Sequence, residues 1–247
     1  MIYQILLSAA VVWLIIPRLN GQETPPTLHA EVRMLAFTPD LQFPEAYAQD
    51  PAAAANTAVS VPAPIKTYLN HQFSTVLFKS RKIIFTTKPD RASLTREGET
   101  IGEVIVPAGV DSAILLFLPG KAGDKIRTRI MVINDAKRAF PSGSYHATNL
   151  SHLPIRLILE QKNFDFKPGA ELLIEDPPVH AGHQSSMHTF AFMDDVWKPI
   201  ATGLWSHPGQ ARGLLVLFQN PASGNVELRA FDDDPPREPK PAPKPGT

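Results

Sequence analysis

Ala113-Ile114-Leu115-Leu116-Phe117-Leu118, a turn over 120–124, and then Lys125-Ile126-Arg127-Thr128-Arg129-Ile130-Met131-Val132 read as one β-hairpin. In its second arm Ile126, Thr128, Ile130 and Val132 alternate with Lys125, Arg127, Arg129 and Met131, the period of two that a half-buried antiparallel strand requires. Shorter signals of the same kind lie on both sides, over 28–37, 65–69, 74–79, 82–86 and 103–106, then over 145–150, 155–160, 163–166, 172–175, 189–193, 214–218 and 226–231. Short strands punctuated by Gly and Pro turns predict an all-β fold, an antiparallel β-sandwich.

The hairpin returns one hundred positions later as Gly213-Leu214-Leu215-Val216-Leu217-Phe218 and the strand over 226–231, with a turn of equal length over 220–224. At a smaller offset of eighty-one, Thr75-Val76-Leu77-Phe78 and Ile83-Ile84-Phe85 correspond to Arg156-Leu157-Ile158-Leu159 and Phe164-Asp165-Phe166. The two offsets predict an internal duplication whose second copy holds about nineteen extra residues between Phe166 and Leu204. Two tandem Ig-like or related units, packed on each other because neither holds a generous core alone, are the expected architecture.

The 247 residues are 43% apolar and 19% charged, ordinary globular usage. Twenty-four Lys and Arg balance twenty-four Asp and Glu, and no basic run interleaves with aromatics, which argues against a nucleic-acid partner. The lack of cysteine removes disulfides, thiolate metal sites and cysteine nucleophiles. Residues 5–16 form an apolar run suited to the h-region of an export signal and short for a bilayer span. Cleavage after Gly21 is one reading; an uncleaved anchor is the other, because Arg18 follows the run and no Lys or Arg precedes it. Both place the body in the periplasm, on the cell surface or outside the cell, and membrane contact is confined to this segment if it stays uncleaved.

The expected organisation is a signal or anchor over 1–21, a first strand and Ala/Pro-rich connection over 22–64, a first β unit over 65–138, a second over 139–233 with its insertion at about 171–200, and a Pro-rich tail over 234–247. The tail, with prolines spaced by Lys240 and Lys244, cannot bury apolar surface and reads as polyproline-like coil.

Inside the expected insertion, His180-Ala181-Gly182-His183 and Ser185-Ser186-Met187-His188 gather three imidazoles and a thioether. Imidazole suits zinc and copper, so His180, His183 and His188 are candidate metal ligands and Cu or Zn the candidate cofactor; a solvated polar loop is the plainer alternative. Trp197 and Trp205 are a candidate platform for sugar rings, or else caps on the core. No Gly-x-Ser-x-Gly elbow, P-loop or dinucleotide fingerprint occurs, so no catalytic residue is assigned and no enzyme is expected. Asp194-Asp195 and Asp232-Asp233-Asp234 suit either calcium or strand ends, and Asn149-Leu150-Ser151 fits a glycosylation sequon.

Phe140-Pro141-Ser142-Gly143-Ser144-Tyr145, Asn149-Leu150-Ser151 and the Phe166-Lys167-Pro168-Gly169 turn resemble a group of exported bacterial β-sandwich proteins with no assigned activity. The resemblance implies a cell-envelope location and a non-catalytic role, and supplies no site residues. The reading is an exported module that binds an envelope protein or polysaccharide through its loops, with a copper- or zinc-binding periplasmic protein as the alternative.

Overall fold

The computed structural model describes residues 28–54, 60–120, 126, 128–180, 182–220 and 222–234, so the expected export segment and nearly all of the proline-rich tail lie outside the described residues. Among the described residues no helix is long and apolar enough to cross a membrane. Among the described residues the fold is all-β, built from four sheets.

The described residues open with β1 (Leu28–Ala36) in a first sheet, sheet A, and cross to β2 (Tyr47–Gln49) and β3 (Ser60–Pro62) in sheet B. It returns beside β1 as β4 (Ile65–Lys66) and β5 (Ser74–Phe78), then crosses again as β6 (Lys82–Thr86) and β7 (Thr100–Ile105). It closes sheet A with β8 (Ser112–Pro119) and β9 (Thr128–Asn134). In the second half β10 (Tyr145–Asn149) lies in sheet C, β11 (Ile155–Leu159) and β12 (Lys162–Phe166) in sheet D, and β13 (Glu171–Ile174) back in sheet C. Then β14 (Gln184–Met193) and β15 (Val196–Ser206) complete sheet D, and β16 (Arg212–Gln219) and β17 (Val226–Asp233) complete sheet C.

The expected sandwich is antiparallel, and sheets B and D are, but sheets A and C are mixed: β1 runs parallel to β4 and β8, and β10 parallel to β16. The physical reason is the path. Between each parallel pair the chain makes several strands elsewhere, and so long a connection can bring it back in the same direction. In both halves an opening strand pairs in parallel with a late strand, which then forms an antiparallel hairpin with the last. The offset of one hundred therefore joins strands in like places, β8 with β16 and β9 with β17. The offset of eighty-one does not: β5 is antiparallel to β1 at the edge of sheet A, whereas β11 sits inside sheet D between β12 and β14. In path order the counterpart of β5 is β13, which flanks β10 in the same way. Two runs of alternating apolar residues look alike wherever one face is buried, and parity alone does not distinguish an edge strand from an inner one.

Two further corrections follow from the sheets. The connection expected over 45–64 contributes β2 and β3, and β1 is central to sheet A, not a prelude to the first unit. The stretch expected to hold the insertion, 171–200, with strands at 172–175 and 189–193, contains β13, all of β14 and the start of β15 and is no spare loop: Ser185, Met187, Thr189 and Ala191 of β14 are buried against the core.

Burial shows why β8 and β16 are nearly continuous apolar runs. One buried cluster joins Ile83, Phe85 and Ile101 of sheet B, the strands of sheet A, and Leu214, Val216 and Phe231 of sheet C. A second joins Leu215 and Leu217 of sheet C to Ile155, Leu157, Leu159, Phe164 and Phe166 of sheet D. Successive residues of β16 thus face opposite neighbours, and the four sheets stack as B, A, C, D. Sheets A and C are covered on both faces, and a strand buried on both faces has no use for alternation.

Candidate ligand-facing surface

The inward residues of sheet D pack on sheet C, and the alternate residues form its outer face. The register places them in cross-strand rows. Phe192 stands opposite Trp197; Asp165, Arg156, Phe190 and Pro199 form the next row; Asn163, Ile158, His188 and Thr202 the row after it. Beyond these, Ser186 stands opposite Leu204, which is 69% exposed.

Arg156 is the central polar group of this face. Its Nε and Nη2 donate to Asp165 Oδ1 and Oδ2 at 2.7 and 2.8 Å, a two-pronged pair across the β11–β12 ladder. The hydrogen bond from Arg156 holds the Asp165 carboxyl below the usual range, against a smaller upward push from burial. The guanidinium carbon lies 4.5 Å from the centre of the Trp197 ring, and Phe192 meets Trp197 at 5.2 Å between centroids. Arginine stacks on aromatic faces while keeping its donors in plane, so rings and ion pair form one layer whose charges cancel. At the end near the β11–β12 turn, Glu160, His180, Gln184, Ser186 and Leu204 line a shallow hollow. There Glu160 accepts the Ser186 N–H at 2.5 Å, and His180 Nε2 stands 4.0 Å from its carboxylate.

The structure separates the two tryptophans expected to act together. Trp197 belongs to the outer face, whereas Trp205 pairs with buried Ser185 and stacks inward on Tyr145 at 4.9 Å between centroids. Tyr145 donates its hydroxyl to Ser206 O at 2.6 Å, and burial, with Asp232 adding to it, pushes its pKa up to about 12. Trp205 is therefore a cap on the second core.

The three histidines are not brought together. His180 and His183 belong to the turn before β14, where His183 has a positive φ of 57° and its N–H bonds His180 O at 3.2 Å. His188 stands inside β14, opposite Ile158 and Thr202, five residues further along a strand that rises about 3.4 Å per residue. Among the described residues no group of three or more His, Cys, Asp or Glu side chains is placed to hold a metal ion.

The other polar motifs have structural roles. Asp194 and Asp195, at φ of 50° and 61°, are the two central residues of the β14–β15 hairpin, the backbone of a type I′ turn. Asp233 is buried in an ion-pair cluster, described below. Asn149 of the sequon is fully buried: its Nδ2 donates to Leu153 O at 2.8 Å and Lys167 O at 3.2 Å, and its Oδ1 accepts the Ser151 N–H at 3.0 Å.

Sequence reasoning missed Arg156 and Asp165, which do not stand out among twenty-four basic and twenty-four acidic residues spread along the chain. Their opposition across a short hairpin, with Phe190 as the next strand's neighbour, was the one available signal.

No family model matches the chain, and no curated protein matches it. Among solved structures it is similar to a "putative cell adhesion protein" from Bacteroides ovatus at 7% identity, over 85% of this chain and 97% of that one, with a TM-score of 0.23. A second, described in the same words and from Bacteroides uniformis, has 10% identity over 84% and 98% of the two chains, with a TM-score of 0.19. Likenesses at these scores decide neither fold nor activity.

Proposed function

We propose that this chain is an exported, non-catalytic binding module of the cell envelope, built from two tandem β-sandwich units over about 28–135 and 144–234, with the outer face of sheet D as its working surface. A polysaccharide or another envelope protein is the partner. The observation that carries this is a contrast between the two ends of the stack. The outer face of sheet B presents the Lys82–Glu103 ion pair, at 2.7 Å, beside Ile105, which is 67% exposed, and among the described residues no arginine–ring stack lies on it. The outer face of sheet D presents Phe190, Phe192, Trp197 and Leu204 around a neutralised arginine. A row of rings on a sheet's solvent side contributes nothing to the core beneath it and offers flat apolar area together with fixed donors and acceptors, which suits a sugar ring or an aromatic-rich protein surface.

The test is capture of isolated envelope material by the full exported chain, compared with Trp197→Ala combined with Phe190→Ser. Capture should fall at least tenfold while the melting temperature moves by only a few degrees. Undiminished capture by a folded double variant would remove this face from consideration.

A further inference from the structure

The most densely connected polar group lies between the two halves, far from the face described above. Arg33 of β1 and Asp135 just past β9 come from the first half; Arg212, opening β16, and Asp233, closing β17, come from the second. The side chains of Arg33, Asp135 and Asp233 are 5%, 0% and 6% exposed. Arg33 reaches both carboxylates, donating from Nη1 and Nη2 to Asp233 Oδ1 and Oδ2 at 2.7 and 2.9 Å, and from Nε and Nη2 to Asp135 Oδ2 at 3.2 and 2.8 Å. Arg212 does the same from the other side, with Nη2 to Asp135 Oδ1 at 2.7 Å and Nε to Asp233 Oδ2 at 3.0 Å. Each arginine also donates to a carbonyl, Arg33 to Leu69 O at 2.9 Å and Arg212 to Phe140 O at 2.8 Å. The rings of Phe73 and Phe140 lie over the two guanidinium groups, at 4.9 and 4.4 Å. Two positive charges meet two negative ones, and each carboxylate is shared between the halves.

The surfaces around this group come from corresponding strands. The Asp135 N–H bonds Ser112 O at 2.9 Å where β8 begins, just as Asp233 pairs with Arg212 where β16 begins, so the two aspartates end corresponding hairpins. Likewise the Phe37 N–H bonds Phe117 O at 2.9 Å, and the Leu150 N–H bonds Leu217 O at 2.7 Å. Phe37 packs on Phe218 and Phe231 of the other half, at 4.8 and 6.3 Å between centroids. Sheets A and C thus meet through like faces, the arrangement of an isologous dimer contained in one chain. Apolar faces alone permit sliding. Forked arginine–carboxylate pairs are directional, and a buried ionic group is costly unless every bond is made, so it selects one arrangement even where it adds little net stability.

We propose that Arg33, Asp135, Arg212 and Asp233 form a latch that holds the two sandwiches in a single registry and makes the chain one rigid, cooperative body instead of two hinged units. The test is thermal unfolding of the full chain together with native-state hydrogen exchange. The wild-type protein should unfold in one transition, and the slowest amides of β8 and β16 should open together. Asp233→Ala should lower the melting temperature by about 10 °C and split the unfolding into two steps. Arg33→Lys, which keeps the charge and loses the fork, should weaken the coupling in the same direction. Two independent transitions in the wild-type protein, or an unchanged single transition in a folded Asp233→Ala protein, overturn the latch. If Asp233→Ala does not fold, Arg33→Lys decides: separate openings of β8 and β16 support the latch, and wild-type behaviour overturns it.

Discussion

Gly213 shows how one missing side chain can carry a packing arrangement. A Cβ at this position would run into the Tyr145 ring, which lies across the β16 backbone between Gly213 and Trp205. The corresponding place in the first half is Ala113, opposite Val32 of β1, where no ring needs the space. Gly213→Ala should therefore cost about 1–3 kcal/mol by overpacking, visible as a lower melting temperature and a changed near-ultraviolet signal from Trp205. Gly213 and Tyr145 were legible as residues of two strands, but their contact spans sixty-eight positions and leaves no local pattern. Asn149 is similar: the sequon is plain in the sequence, whereas its use as a buried clamp for three backbone groups depends on where 153 and 167 come to rest.

The β14–β15 hairpin is the element on which the candidate site stands. Its strands were half visible, since 189–193 shows a strand signal, while β15, which contains Pro199 and Gly203, falls outside the expected strands. Proline is tolerated there because β15 is the last strand of its sheet and a register shift lies beside it, between Thr189 and Phe190. The turn places non-glycine residues at positive φ twice in succession, which only glycine does without steric cost. Asp195→Gly should accordingly stabilise the protein by about 0.5 kcal/mol, the relief of the turn being partly offset by glycine's extra freedom in the unfolded chain. A melting temperature that falls instead would mean that the Asp195 side chain is needed. The Lys198–Asp194 pair at 2.5 Å is left in place by this change. Because β14 runs on from the turn that holds His180 and His183, His188 is carried five residues along the strand, and closeness in sequence does not become closeness in space.

With four sheets about 10 Å apart, the stack sets the outer face of sheet D roughly 30 Å from sheet B. Its acid stability should follow from the groups at the central layer. Burial pushes the Asp233 carboxyl up, but hydrogen bonds and charge from Arg33, with help from Arg212, more than offset this and hold it below the ordinary value. Burial, aided by the Arg33 charge, keeps His71 below the usual histidine value. Both shifts have the same sign for stability: the unfolded chain takes up a proton that the folded one resists. Stability should be full above about pH 7, decline modestly as pH falls below the ordinary histidine value of about 6.5, and drop steeply below about pH 4 as Asp233 is forced to protonate. Urea midpoints across this range check it. His71→Gln should flatten the upper part, and a profile level down to pH 3 would contradict the account.

The alternation over 125–132 and the turn spacing were enough to determine an all-β chain with two similar hairpins, because period and turn chemistry are local properties of a strand. The direction of pairing, the true partner of β5, the placing of the histidines and the Arg–Asp cluster were decided only by the tertiary structure. Each depends on which faces meet after the chain has crossed between sheets several times. Local hydrophobic period says that a strand has a buried side; it does not say what lies on the other side of it.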